Sequence, residues 1–284
     1  MTDTTPLPLV GPSLTMRALA ARAEELRRDV TRPVLVVGAR GLGKRYLAER
    51  IHAGSSLAGA PLLVMDARRS GDPAALDTLR DVDTGVVLVR HVDQLAPPAQ
   101  ELLEAQVAAH RVMRLMATSG AELLPLVRRG AFRETLAYAL QGWPLLVPAL
   151  AERDATDRIA LAGAVLRQTA DGDDTLPVVV DATTAALLTA WPWQDNLREF
   201  EATLAIAQLR ARGSTAVSGA HLALPRGSSL VPAASASMAD VERWHLLRAL
   251  AECHGNRTHT ARQLGISRMT LIGRLRAISE AVTE

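Results

Sequence analysis

The stretch Pro33-Val34-Leu35-Val36-Val37-Gly38-Ala39-Arg40-Gly41-Leu42-Gly43-Lys44-Arg45 decides the fold of this chain. Its β-branched run predicts a buried strand, its glycines a tight loop, and the periodic residues that follow, through Ile51, a helix. A loop of this kind turns backbone N–H groups inward at the positive end of a helix, which is how proteins cradle phosphate. Of the 32 basic residues 31 are arginine, and Lys44 is the single lysine. A slim ammonium reaches β- and γ-phosphates where a planar guanidinium fits poorly. Gly38, Ala39, Arg40, Gly41, Leu42, Gly43, Lys44 and Arg45 are therefore the candidate nucleotide-binding residues, with ATP or ADP as the ligand. Arg45 replaces the Ser or Thr whose hydroxyl would hold magnesium, so the metal is doubtful. A glycine-rich turn in a Rossmann-like sheet is the alternative reading of the same pattern.

Working outward, short apolar runs alternate with helical stretches: PVLVV, PLLVMD, GVVLVRHV, RVMRLMATS and WPLLVPAL. That alternation predicts an α/β domain, a parallel sheet covered by helices, over residues 1–150, with a helix over Met16–Val30 at its start. From about Ala151 the strands stop. Helical patterns over Asp154–Thr169, Thr183–Ala190 and Asn196–Arg212 predict a helical lid, residues 151–222. The Ser/Ala/Pro-rich RGSSLVPAASAS marks a linker, 223–238. With 284 residues and 48% apolar content the chain can bury a proper core. Cys253, the only cysteine, excludes a disulfide framework and reads as a buried thiol on a helix. No signal-peptide pattern or run of some twenty apolar residues is present. The expectation is a cytoplasmic, nucleoid-associated protein with no membrane partner.

Residues 239–284 form a third, all-α module. An amphipathic helix over Ala239–His254 carries Val241, Trp244, Leu247, Leu250 and Ala251 on one side. In GNRTHTARQLGISRMTLIGRLRAI, Thr258 can cap a short helix ending at Gly265, and Ser267 a second helix with Leu271, Leu275 and Ile278 inward. Two short helices joined by a glycine turn have helix-turn-helix geometry. Arg257, Arg262, Arg268, Arg274 and Arg276 fall in this segment, with no acid between Gly255 and Arg276, although the chain's net charge is only +2. Such a surface suits double-stranded DNA. A three-helix bundle with an arginine-bearing solvated face is the alternative.

GNRTHTARQLGISRMTLIGRL resembles the DNA-binding domain of Fis and the C-terminal domain of bacterial enhancer-binding proteins, the sigma-54-dependent activators. The resemblance implies that Ser267, Arg268 and Thr270 contact bases and phosphates, with Arg274 and Arg276 further along on phosphates; Arg257 and Thr258 join them at the first helix. It also implies a dimer on roughly palindromic sites, paired through the helix near Ala239. Gly273 stands at a place that is usually basic, and Thr260 at one that is usually alanine. The centre resembles the AAA+ domain of the same family, in PLVGPSLTMRAL, GARGLGKRYLAERIHAGS, GAFRETLAYAL and WPWQDNLREFE. Arg133 then matches the first arginine finger, Arg198 the sensor arginine of the lid, and the place of Arg45 is commonly a glutamate. WPWQDNLREFE carries two extra residues before Asn196.

The departures bear on activity. The family's third strand ends in Asp-Glu, the acids that hold magnesium and activate water. Here Arg90-His91 follow Val86-Val87-Leu88-Val89, and a register sliding Asp93-Gln94 into place still lacks the glutamate. Ser119 stands where an asparagine sensor is usual and Ala139 where a second finger is usual. Only Ala67 to Gly85 separate the second and third strands, too few for the loop bearing GAFTGA that touches sigma-54. No receiver domain is expected within this sequence.

Three functions follow as expectations. The first is a DNA-binding transcriptional regulator whose degenerate AAA+ domain binds but does not hydrolyse ATP and acts without sigma-54. The second is an interaction protein that joins the ring of an intact enhancer-binding protein; the third, resting on Lys44 alone, is a working ATPase. Partners expected beside DNA are a second copy of the chain, as dimer or ring, and RNA polymerase or an intact enhancer-binding protein.

Overall fold

The computed structural model describes residues 6–80, 85–109, 112–142, 144–222 and 256–280, with positions 242, 245, 246, 249, 250 and 253. The chain divides into two units, residues 1–9 with 14–149 and residues 10–13 with 150–284.

The first unit is built on five parallel strands, β1 (Val34–Val37), β2 (Leu62–Asp66), β3 (Gly85–Arg90), β4 (Val112–Ser119) and β5 (Leu145–Leu146), in the order β2-β3-β4-β1-β5. Its helices are α1 (Leu14–Arg28), α2 (Lys44–Ala53), α3 (Pro73–Arg80), α4 (Pro97–Ala108), α5 (Leu124–Arg128) and α6 (Glu134–Leu140). Alternate strand residues point to opposite faces, and both faces are covered, which is why the strands read as unbroken apolar runs. Leu35, Val37, Val87 and Val89 pack with Leu103 of α4 and Leu136 of α6. Val34, Val36, Val86 and Leu88 pack with Leu47 and Ile51 of α2 and Leu26 of α1.

Helix α1 begins and ends two residues earlier than its apolar spacing predicts. Its end is set from a distance. Arg114 of β4, 3% exposed, donates to the carbonyls of Leu26, Asp29 and Arg32 at 2.5, 3.1 and 2.8 Å. A buried cation thus satisfies carbonyls around the negative end of the helix.

The second unit begins with α7 (Ala155–Ala170), α8 (Ala182–Ala190) and α9 (Asn196–Arg210), close to their predicted ranges. One parallel bridge, Val180 to Val217, is an extended element that the helical pattern did not predict. Leu161, Leu166, Leu187, Phe200 and Leu204 are buried here, and Trp193, 1% exposed, stands edge-on to Phe200 with ring centroids 4.8 Å apart. Trp191 donates through Nε1 to Glu199. The extra residues before α9 are accommodated by left-handed backbone at Trp193 (φ 45) and Asn196 (φ 51). The buried Asn196 amide oxygen repays part of that strain by accepting from the Leu150 N–H at 2.9 Å.

The same unit contains α10 (Arg257–Gln263) and α11 (Arg268–Glu280). Leu271 is fully buried with Ala261 and Leu246, and Leu264, Ile266 and Leu275 pack around them. Residues 223–238 and most of Ala239–His254, including Val241, Trp244, Leu247 and Ala251, lie outside the described residues, as does the Ile278 side chain. Cys253 is buried as expected, but in a turn and not on a helix, its thiol donating to Gln263 at 2.9 Å.

Candidate functional site

The glycine-rich loop runs from the end of β1 into the first turn of α2. Gly41 (φ 79) and Gly43 (φ 68) hold left-handed backbone, the conformation that curls the loop over the helix N-terminus. Gly38 is required for a different reason: a Cβ there would stand 2.6 Å from the Val147 carbonyl oxygen. Leu42 is fully buried and pins the loop's apex to the core. Ala39 and Arg40 are exposed. Lys44 Nζ donates to the Gly38 and Ala39 carbonyls, both at 2.7 Å, so its ammonium is held over the loop that it would share with a phosphate. Burial pushes its pKa down, and the Asp93 carboxylate opposes that shift. Arg45 turns along the surface of α2 to Glu49, 2.7 Å away.

At the carboxyl ends of β2 and β3 the residues replacing the expected acids make their own network. Arg90 approaches Asp66 at 3.8 Å, and Asp66 also accepts from the Arg68 guanidinium at 2.6 Å. Arg68 is the main reason the Asp66 carboxyl falls to about 2, with the Arg90 charge adding to it. His91 takes left-handed backbone (φ 55), its N–H donating to Thr118 Oγ1 at 3.3 Å, and burial pushes its imidazole pKa down. The chain then bends into a short 3-10 turn that brings Asp93 to β4. Asp93 Oδ1 accepts from Ser119 Oγ at 3.1 Å and from the Gly120 N–H at 2.9 Å. Asp93 is therefore the carboxylate that shares the neighbourhood of Lys44. The sequence signal for it was the slid register, which placed a carboxylate near the site but not its contact with Ser119.

Arg133 precedes α6 and is engaged within its own unit, by Glu104 at 2.5 Å and Glu101 at 3.3 Å. Thr135 Oγ1 also donates to Glu104. Ala139 is exposed on α6. In the second unit Arg198, its side chain 71% exposed, lies in the first turn of α9, 3.9 Å from Asp195.

In the C-terminal module the first cap falls on a residue other than the expected one. Asn256, not Thr258, caps α10: its side-chain oxygen accepts from the N–H groups of Thr258 and His259, both at 3.1 Å. Asparagine directly before a helix reaches two free N–H groups, whereas Thr258 is already inside the first turn. Ser267 caps α11 as expected, Oγ accepting from the Thr270 N–H at 3.0 Å and lying 2.8 Å from Thr270 Oγ1. The two hydroxyls offered as DNA contacts thus also serve the cap. Arg268, Thr270, Arg274 and Arg276 are exposed on α11. Arg274 is paired with Glu242, and Arg257 donates to Thr183 Oγ1 of α8 at 2.8 Å. The structure brings Ser267, Arg268 and Thr270 together at one helix start; Arg257 and Thr258 lie on α10. Met269, 75% exposed between Arg268 and Thr270, carries no polar group and so gave no signal as a contact residue in the sequence.

A family model described as the sigma-54 interaction domain matches residues 10–150, and one described as bacterial regulatory protein, Fis family, matches residues 237–277. The chain carries a sigma-54 interaction domain followed by a Fis-family helix-turn-helix. The transcriptional regulatory protein FlbD of Caulobacter vibrioides is 26% identical over 301 residues, covering 87% of this chain and 65% of its own length. The transcriptional regulatory protein ZraR of Escherichia coli is 28% identical over 277 residues, covering 85% of this chain and 62% of its own. The chain thus spans less than two thirds of the length of these relatives. Among solved structures, NtrX from Brucella abortus in complex with ATP superposes with a TM-score of 0.64 at 23% identity, covering 95% of this chain and 69% of that chain. AMPPCP-bound DnaA from Aquifex aeolicus gives a TM-score of 0.54 at 13% identity, covering 100% and 93%. The fold of the sigma-54 interaction domain here is accordingly the AAA+ P-loop α/β fold.

Magnesium, which that fold implies, finds a poor set of donors. The two expected ligand positions are Arg45, paired with Glu49, and Arg90, paired with Asp66. A hard dication needs oxygen ligands and is repelled by guanidinium groups at any plausible dielectric. Among the described residues no group of three or more His, Cys, Asp or Glu could hold a metal ion, and no helix is long and apolar enough to cross a membrane.

Proposed function

We propose that this protein is a sequence-specific DNA-binding transcriptional regulator. Its AAA+ domain binds ATP or ADP without hydrolysing it and serves as an assembly platform or nucleotide-responsive switch. The observation that carries the reading is the arginine-bearing, acid-free segment from Gly255 to Arg276, folded as two short helices with Arg268, Thr270, Arg274 and Arg276 exposed on the second. Positive charge on the helix that enters a major groove supplies both phosphate affinity and guanine readout. The working division is 1–150 for the nucleotide domain, 151–222 for its lid, 223–238 for the linker and 239–284 for DNA binding.

The case against hydrolysis rests on Arg90 and His91. Arg90 brings a positive charge where an acid would hold magnesium beside an ATP, and His91 lacks the charge and the oxygens of the carboxylate that would activate water. The case for acting without sigma-54 rests on the short path from β2 to β3, which leaves no room for a GAFTGA loop. The relatives FlbD and ZraR are regulators of transcription by name, and the NtrX structure holds ATP, in accord with a nucleotide on Gly38–Arg45. Arg133, held by acids of its own chain, weighs against the alternative of a subunit built only to enter another protein's ring.

Genome-wide occupancy of the tagged protein, wild type against Arg268→Ala, tests the regulator. Discrete palindromic sites at promoters lacking sigma-54 elements, lost in the variant, are expected. Binding that ignores Arg268 refutes it. Steady-state ATP turnover above a Lys44→Ala background would overturn the non-hydrolysing part.

A further inference from the structure

Two features of α11 have no explanation among the described residues. Met269 exposes 75% of its surface, although a long apolar side chain costs free energy when left in water. Gly273 sits in the interior of the helix, where glycine is less favourable than alanine. An interior glycine can mark a close packing contact, yet a Cβ at Gly273 would meet nothing within 4 Å. Met269 and Gly273 are four residues apart, so they lie on one face, and Arg276, one turn further, continues the stripe. That face is opposite the one where Leu271 and Leu275 are packed inward.

Resting on the DNA-binding reading above, we infer that Met269 reads thymine in the major groove, and that Gly273 lets the helix backbone come close enough for it to do so. The 5-methyl group of thymine is the one apolar feature on a major-groove edge, and apolar side chains recognise it by contact. At the cap the Ser267 and Thr270 hydroxyls are bonded to each other, whereas Met269 between them is exposed. Arg268 precedes it and Arg276 lies two turns on, placed to supply phosphate contacts that hold the helix in the groove. The charge argues for DNA over a protein partner: no acid occurs between Gly255 and Arg276. The bound sites should therefore carry a thymine at a fixed position in each half-site.

The test uses the full chain and duplexes selected by it from a randomised pool. Affinity is measured by fluorescence anisotropy on the selected duplex and on the same duplex with deoxyuridine for thymine, which removes only the methyl groups. The wild type should lose about fourfold in affinity per methyl contacted. Met269→Ala should bind the thymine duplex more weakly and lose the difference between the two duplexes; Gly273→Ala should weaken both. Met269 is exposed, so its variant keeps the fold, verified by its melting temperature. A wild type indifferent to deoxyuridine, or a Met269→Ala variant with an unchanged ratio, overturns the inference while leaving DNA binding in place. A changed dimerisation constant with that unchanged ratio would assign the stripe to a second copy of the chain. Selection of no duplex at all sinks both this inference and the regulator reading.

Discussion

Replacing Lys44 with methionine should separate the stability of the free protein from its response to nucleotide. In the free protein the ammonium has two hydrogen bonds of 2.7 Å to its own loop, yet burial pushes its pKa down. A lysine whose folded pKa lies below its unfolded value opposes folding while charged. That penalty is present at neutral pH and fades as pH rises through the folded pKa. Methionine removes the penalty and keeps the aliphatic stem, so the free variant should melt within about 3 °C of wild type, roughly 1 kcal/mol. With nucleotide the two should diverge. ATP or ADP at a hundredfold excess over Kd should stabilise the wild type by about 2.7 kcal/mol. For a unit of this size that is a rise of about 5–10 °C, and Lys44→Met should lose nearly all of it. Melting followed by circular dichroism across a nucleotide titration measures both quantities. A variant that keeps the full nucleotide shift refutes the assignment of Lys44 to phosphate. A free variant that melts 5 °C or more below wild type, on the scale of about 2–4 °C per kcal/mol, refutes the argument that its burial opposes folding.

Gly38→Ala should destabilise the first unit by about 1–3 kcal/mol, since the new methyl would meet the Val147 carbonyl at 2.6 Å and backbone must move; urea unfolding measures it, and an unchanged midpoint would show that the loop relaxes freely. Asp66, held near a pKa of about 2 mainly by Arg68, should contribute stability above pH 4 that is lost as pH falls from about 4 to 2. Because the Arg68 side chain is 53% exposed, screening reduces this to about 1 kcal/mol, and Asp66→Asn should flatten the acid limb of the stability profile between those values. Asn256→Ala should cost the helix-turn-helix about 1 kcal/mol by uncapping α10, whereas Thr258→Ala should cost less; thermal melts of the two variants decide which residue is the cap.

Much of the fold was legible because burial on both sheet faces writes itself into composition: the apolar runs from Val34, Leu62, Gly85, Val112 and Leu145 each became a parallel strand. Local patterns also placed the loop at Gly38–Arg45 and the turn between α10 and α11. What escaped was set by contacts between distant residues. Apolar spacing carries α1 to Val30, but Arg114, far along the chain, takes the carbonyls of Leu26, Asp29 and Arg32 and fixes where the helix ends. Asp93 was read only as an alternative register; the left-handed backbone at His91, which sends it to Ser119, has no sequence signature in a histidine. Asn256 and Thr258 are both good caps by residue type, and two such residues two positions apart are distinguished only by where the helix begins. Met269 escaped for the opposite reason: an apolar residue in an amphipathic helix is ordinarily taken to face inward, and its exposure appears only with the fold.

The single lysine has a practical consequence. Amine-reactive reagents, acyl donors and lysine-modifying enzymes find one ε-amine in this chain, and it lies at the mouth of the phosphate-binding loop. Its lowered pKa leaves more of it as the free base at mildly alkaline pH, the form that attacks an acyl group. Acylation there would remove the charge of the proposed nucleotide site and leave the arginines of α10 and α11, the proposed DNA surface, untouched. A single covalent mark could thus silence one half of the molecule without altering the other.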